Sequence, residues 1–415
     1  MRILISAYYC SPYRGGESAV GWQVATELAN HHDVTVVCGD LSAGATTGND
    51  IARYRAEHGL PAGLEIQHVQ LTGLGRTIHD LHGLPGLWFL YYEAYRRWQK
   101  QILRVVRDLH ADKPFDLIHH VNIIGFREPG YLWQLGIPFF WGPVSGAPMV
   151  PPAFLKDFSP KERFRWGTRN FLNKLQIRLA RRQPKAARAA AKVWAVSAED
   201  CATLARWSVG AEPMLETGCT PSHSGEIKQR AANDPLRLCW SGLFQGIKTL
   251  PVLLRAMAAS NIHQIQLDVL GHGPEAERWK SLASELGLDG RISWHGMLPR
   301  DKALAVMRRS HALVHTSVKE GTPHVVLEAL AMGLPVLCHD ACGMGIAVTP
   351  GCGIKMPLDN PASSIYGFRD AMERLYSEPG LLEILSRGAM DRAKELTWDM
   401  KIQRFSQAYR EATQP

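Results

Sequence analysis

The chain has 415 residues, 46% of them hydrophobic and 21% charged, with a formal net charge of +8. That length is ample for two full cores, and the balance excludes a disordered, collagen-like or disulfide-stapled chain. The charge is concentrated: residues 156–192 carry twelve Lys/Arg against two Asp/Glu, while the remainder carries 35 against 37.

None of the eight cysteines forms a C-x-x-C, and several lie in apolar runs, so buried thiols in a reducing compartment are expected. Cys338-x3-Cys342 with His339 lacks a second ligand pair at matching spacing, so no metal site is expected. MRILISAYYC at Met1–Cys10 reads as a strand rather than a signal peptide. No apolar run approaches the ~18 residues of a membrane span. The expected location is cytoplasmic, with the inner face of the membrane as an additional place of residence.

In chain order, Ile3–Tyr8 predicts a strand, and SPYRGGES leads into a helix with Val20, Val24 and Leu28 on one face. Strands follow at Asp33–Cys38 and Glu65–Leu71, then a long helix over Gly86–Leu109. Strands at Asp116–Val121, Ile137–Trp141 and Lys192–Ser197 precede a helix at Ala198–Trp207. Alternation at this spacing implies a parallel, doubly wound sheet. The stretch Glu216–Pro235 has no apolar periodicity and many turn formers, and reads as a linker. Alternation then restarts: strands at Leu236–Ser241, Ile265–Leu270, Arg291–His295, Leu313–Thr316 and Pro335–His339, with helices at Leu250–Ala259, Glu275–Leu286 and Arg300–Arg309. Two Rossmann-like domains are thus expected to face one another across a cleft, over 1–217 and 236–397, joined by 218–235. Ligands of such sheets sit beyond the carboxyl ends of the strands.

The basic stretch interleaves its cations with Phe164, Trp166, Phe171, Leu172, Leu175 and Leu179. A basic amphipathic helix reads as an element drawn to an anionic membrane surface. The competing reading packs Phe171, Leu175 and Leu179 on the core with the charges solvated. No nucleic-acid motif accompanies the charge, so nucleic acid is not an expected partner.

The chain is most informative at Ala312–Gly333, ALVHTSVKEGTPHVVLEALAMG. A strand, a Gly-containing turn and a helix with Thr322 as its cap and Pro323 at its first position would aim unpaired N–H groups and a positive dipole end at one point. Glu320 and Glu328 flank that anion site. Carboxylates there would accept hydrogen bonds from hydroxyls, and the polyol attached to a diphosphate is a sugar. Gly242 and Lys248 in SGLFQGIKTL suit close approach and charge pairing to a diphosphate, and Gly271-His272-Gly273 permits a tight turn beside a nucleotide. His295-Gly296 reads as structural.

Glu320 and Glu328 are spaced E-x7-E, and EGTPHVVLEALAMGLPV resembles the signature of the retaining, nucleotide-sugar-dependent glycosyltransferases of family 4, whose fold is GT-B. The resemblance extends to Gly321, Pro323, Val326, Ala329, Gly333 and Pro335. It implies an α/β GT-B chain that moves a sugar from a nucleotide-diphosphate donor to an acceptor hydroxyl with retention of configuration. Glu328 would bind ribose hydroxyls and Glu320 sugar hydroxyls. Lys248 and the N–H groups of Gly321, Thr322, His324 and Val325 would stabilise the leaving diphosphate. Gly271 and Gly273 would line the base side, and Gly15-Gly16, with Glu17 capping its own helix, would approach the donor from the first domain. A histidine beside the reacting sugar is implied at His119 or His120, with His120 favoured. FREPGYLWQLGIPFFWGPVSG resembles a subgroup acting in polysaccharide and lipopolysaccharide assembly, in which Trp141, Gly142, Pro143 and Gly146 would line the acceptor side. The last helix, within 398–415, would cross back onto the first domain. Leu243 departs from the pattern, standing where an Arg is usual. No D-x-D occurs in the chain, so neither a metal nor another cofactor is expected. Nucleotide-sugar 2-epimerases share this architecture, and a non-catalytic nucleotide-sugar-binding module is the third reading.

Overall fold

The computed structural model describes residues 1–414 except 41–46, 83, 85, 86, 88, 221–224 and 232. Two parallel sheets are built from consecutive halves of the chain. The first uses β1 (Arg2–Ala7), β2 (Asp33–Cys38), β3 (Leu64–His68), β4 (Leu117–Asn122), β5 (Phe139–Val144), β6 (Ala190–Ala195) and the two-residue β7 (Glu212–Pro213). The second uses β8 (Leu236–Ser241), β9 (Ile265–Leu270), β10 (Ile292–Gly296), β11 (Ala312–His315), β12 (Val336–His339) and β13 (Gly353–Met356). Their orders are β3-β2-β1-β4-β5-β6-β7 and β10-β9-β8-β11-β12-β13. Each order reverses once, between β1 and β4 and between β8 and β11. A crevice opens at such a reversal, because the flanking connections depart to opposite faces.

The strands form where they do because helices cover both faces of each sheet. Runs such as LIHHVN and FFWGPV are therefore buried throughout. β13 continues the second sheet past Pro335–His339, where the sequence pattern closes it. Its four residues, GIKM, are too few to show a period. The helices Thr47–His58, Leu74–His82, Pro361–Ser377 and Leu381–Glu395 are further additions. The long helix spans Leu90–Asp112, and the expected start at Gly86 lies outside the described residues. Part of the expected linker, 221–224 and 232, is outside them too.

Two features tie the halves together. The helix Trp398–Thr413 buries Trp398, Ile402, Phe405 and Tyr409 in one core with Ile3, Val34 and Trp194 of the first sheet. In the other direction, Val150, Phe154, Phe158 and Trp166 join the core of the second sheet. Asp157 lies among them, its carbonyl accepting from Arg278 at 2.5 Å and its carboxylate 3.6 Å from Arg255. Among the described residues no helix is long and apolar enough to cross a membrane.

The basic stretch forms the helices Pro160–Arg178 and Arg182–Ala189. Only Trp166 and Asn173 of the longer helix are buried. Phe164, Phe171, Leu175 and Leu179 are 77%, 66%, 41% and 64% exposed, which overturns the reading that packs the last three on the core.

Candidate functional site

At the second reversal, β8 ends at Ser241 and runs into Gly242, and β11 ends at His315 and runs into Thr316. Thr316 joins the two: its Oγ1 donates to the Lys248 carbonyl at 2.6 Å and accepts from Trp240 Nε1 at 2.9 Å. Lys248 closes the short 3-10 turn Gly246–Lys248, and its ammonium forms an ion pair and hydrogen bond with Glu320. Ser317 Oγ donates to the same carboxylate at 3.2 Å, and His315 Nε2 lies 3.8 Å away. Burial pushes the Glu320 carboxyl up, but His315 and the Lys248 charge outweigh it and hold the group down at about 2. Glu320 is therefore a carboxylate across the physiological range.

The backbone beside it is glycine by necessity at two places. A Cβ on Gly271 (φ +128°) would stand 1.9 Å from the Gly242 carbonyl oxygen, and one on Gly273 (φ +154°) 2.7 Å from that of Phe244. The loops after β8 and β9 thus pack backbone to backbone, with Phe244 N–H donating to the His272 carbonyl at 2.8 Å. Leu243 sits on this loop, 48% exposed.

The helix after the turn is His324–Ala331, with Pro323 as its N-cap residue. Thr322 does not cap it, contrary to expectation. The helix starts one residue later, and the Thr322 hydroxyl instead accepts from the Glu216 N–H at 3.1 Å. The Thr322 N–H is likewise engaged, donating to Glu216 Oε1 at 3.2 Å. The orphan donors of the first turn are therefore those of His324 and Val325. Glu328, one turn on, accepts from Arg300 at 2.5 Å. Arg300 is 74% exposed, so this pair contributes little to stability. His324, Glu328 and Arg300 face Ala19 and Gln23 of the first domain and Thr217–Thr220 of the crossover, around a cavity of about 190 Å³.

In the first domain, Gly16 (φ +64°) is the N-cap of the helix Glu17–Ala29, and a Cβ on Gly15 or Gly16 would meet open space. Glu17 does not cap its own helix: its carboxylate accepts from the Ile124 N–H at 3.2 Å. Asn122, at the end of β4, donates to the Glu17 and Tyr9 carbonyls at 3.1 and 2.8 Å. These bonds clip the glycine loop to the switch point of the first sheet.

Neither histidine of β4 opens to the cleft. His119 Nε2 is 2.8 Å from the Gly142 carbonyl and Nδ1 2.6 Å from Tyr409 Oη. The carbonyl can only accept, so Nε2 carries the proton and the Tyr409 hydroxyl donates to Nδ1. His120, the favoured candidate, packs against Ser6 on β1 (3.2 Å) and is 1% exposed. Burial lowers the two imidazoles to about 3 and about 4, so both are neutral core residues at neutral pH. The acceptor-side reading fails for Trp141 and Gly142 on the same ground. Trp141 is 1% exposed in the first core. A Cβ on Gly142 would sit 2.4 Å from the Trp194 carbonyl oxygen. Gly146 alone of these is partly open, beside Arg127.

Residues 226–388 match the family described as Glycosyl transferases group 1. The match lies within the second domain. D-inositol 3-phosphate glycosyltransferase of Streptomyces bingchenggensis (strain BCW-1) is 31% identical over 192 residues, 43% of this chain and 41% of that protein. The chain thus spans less than half the length of the curated relatives it matches. Solved structures share the fold over nearly the whole chain. The lipopolysaccharide outer core galactosyltransferase WaaB gives a TM-score of 0.65 at 16% identity, covering 98% of this chain and 99% of that one. Anabaena Alr3699/HepE in complex with UDP gives 0.60 at 15%, covering 98% and 99%. At such identities the likeness is one of fold, the two-domain GT-B architecture.

Around the second domain the structure adds residues that sequence reading passed over. Lys319 reaches across the cleft to the Pro148 carbonyl. Glu199 of the first domain accepts from the Cys342 N–H at 3.1 Å, at the edge of a second interdomain cavity of about 530 Å³. Glu216 bonds to Thr322 in the Glu320 turn, and Lys401 donates to the carbonyl of the neighbouring Leu215. All four act across chain separations that no local pattern encodes.

Proposed function

We propose that this chain is a retaining glycosyltransferase that moves a sugar from a nucleoside-diphosphate sugar to an acceptor hydroxyl. The observation that carries this reading is the Lys248–Glu320 pair, set at the switch point of the second sheet beside the first turn of the His324–Ala331 helix. Lys248 and the N–H groups of His324 and Val325 receive the diphosphate. Glu320 accepts from sugar hydroxyls, and Glu328 exchanges Arg300 for the ribose. The bond from the sugar's anomeric carbon to the phosphate oxygen breaks as that carbon bonds the acceptor oxygen. The departing phosphate oxygen takes the acceptor's proton. Charge neutralisation is thereby assigned to protein groups without a dedicated metal. Leu243 leaves one customary cation out, so Lys248 carries a larger share.

A thermal-shift screen of UDP-, GDP- and ADP-sugars tests the reading, because a ligand of the folded state raises the melting temperature by mass action. One donor class stabilises the wild type, and Lys248→Ala and Glu328→Ala abolish its shift. A shift undiminished in both variants refutes the site. The complex of HepE with UDP makes uracil the first base to try. Product analysis separates transfer from 2-epimerisation, which needs no acceptor, and from binding without turnover.

The acceptor in this reading is a glycan, lipid-linked or polymeric, met at an anionic membrane surface. The support is the stripe Phe164, Phe171, Leu175 and Leu179 on one helix face, flanked by exposed Lys161, Arg163, Arg165, Lys174 and Arg178. Arg182 is not part of that face, being paired with Glu128 and bonded to Tyr131. At about 1 kcal/mol per basic residue near such a surface, Phe164→Ser/Phe171→Ser with Lys174→Ala/Arg178→Ala lowers partitioning onto phosphatidylglycerol vesicles by at least about tenfold. Unchanged flotation contradicts the membrane reading and leaves the transfer reading standing.

A further inference from the structure

We propose that Glu216 is a positioning residue that ties the crossover between the domains to the turn 320–322 and thereby fixes where Glu320 stands. The proposal deepens the sugar-transfer reading and rests on it. Glu216 and Thr322 exchange two hydrogen bonds, Glu216 N–H to Thr322 Oγ1 at 3.1 Å and Thr322 N–H to Glu216 Oε1 at 3.2 Å. The clasp is tight enough that a Cβ on Gly321 would lie 3.0 Å from Glu216 Oε1. The other oxygen, Oε2, is enclosed without a hydrogen-bond partner among the described residues.

The crossover is itself anchored on both sides of this clasp. Lys401, on the C-terminal helix, donates to the Leu215 carbonyl, and Cys219 bridges to Thr397. Movement of this crossover segment is therefore passed through Glu216 to the turn that carries Glu320.

The charged groups facing Glu216 are Glu17 from the first helix, Glu320 from the turn and Lys401 from the last helix. Burial pushes the Glu216 carboxyl up. The Thr322 N–H and Lys401 oppose that while Glu17 and Glu320 reinforce it, which leaves it at about 7. Protonated, Glu216 holds the turn without repelling Glu320. Ionised, it sets a second negative charge beside it. Burial lowers the facing Lys401 ammonium to about 7, so it loses its charge over the same range, and grip on the donor sugar weakens as pH rises through about 7.

The test titrates UDP-glucose and UDP, or the GDP or ADP pair giving the larger thermal shift, into wild type, Glu216→Gln and Glu216→Ala by calorimetry at about pH 6 and about pH 8. Glu216→Gln keeps the acceptor oxygen for Thr322 and loses the ionisation. It is expected to bind the nucleotide sugar as the wild type does near pH 6 and to lack the wild type's weakening near pH 8. Glu216→Ala is expected to lose about tenfold or more for the nucleotide sugar and under about threefold for the nucleotide alone. Equal losses for both ligands, no loss for either, or the same pH response in Glu216→Gln overturns the positioning role. Absence of nucleotide-sugar binding by the wild type overturns the transfer reading itself, and this role with it.

Discussion

Glu320→Ala is expected to lower kcat/KM for sugar transfer by about 10²–10³-fold. The carboxylate is held ionised by Lys248 and His315 in a largely enclosed spot, only 23% exposed. In the proposed reading its removal deletes the acceptor for sugar hydroxyls, and it frees the Lys248 ammonium to move. A hydrogen bond to a charged group is worth about 1.5–3 kcal/mol, and leaving its partner unpaired costs more. Glu320→Gln keeps the shape and loses the charge, so it should fall between Ala and wild type. A loss under about threefold in the Ala variant would place the reacting sugar elsewhere.

The largest effect on stability belongs to Gly271→Ala. A methyl group there meets the Gly242 carbonyl oxygen at 1.9 Å, and φ is +128°, which a side chain rarely adopts. Relief requires separating the loops after β8 and β9. That strains the bonds from Gly242 N–H to the Leu270 carbonyl (3.0 Å) and from Gly271 N–H to the Gly296 carbonyl (2.8 Å). A cost of about 3 kcal/mol or more is expected, read as a lower urea midpoint with reduced nucleotide-sugar binding. Gly287→Ala is the control. Its φ is +67° but a Cβ there meets nothing within 4 Å, so only the backbone term of about 1–2 kcal/mol applies. Equal destabilisation by the two changes would remove the clash from the explanation.

The strands were legible because parallel strands buried on both faces read as unbroken apolar runs. Asp33–Cys38, Leu236–Ser241 and Ile265–Leu270 lie on the residues the pattern marks. The same double burial defeated the histidines of β4. Alternation sends His119 and His120 to opposite faces, but helices cover both, so neither side chain reaches the cleft. Trp141 on β5 failed for the same reason. The association of Lys248 with Glu320 was legible only through the motif, since the residues are 72 apart in the chain. Glu216 left no trace, because it lies in a stretch without periodicity and its partner Thr322 is 106 residues away. Thr322 itself was misassigned because that distant partner, rather than the local sequence, takes both its N–H and its hydroxyl.

Amide hydrogen exchange with and without the stabilising nucleotide sugar tests most directly whether the cleft between the domains is the donor site. Protection is expected at Gly242–Lys248, Gly271–Gly273 and Glu320–Glu328, with Gly15–Gly16 protected in the same sample as the domains close on the ligand. Protection that spares both Gly242–Lys248 and Glu320–Glu328 would contradict the account.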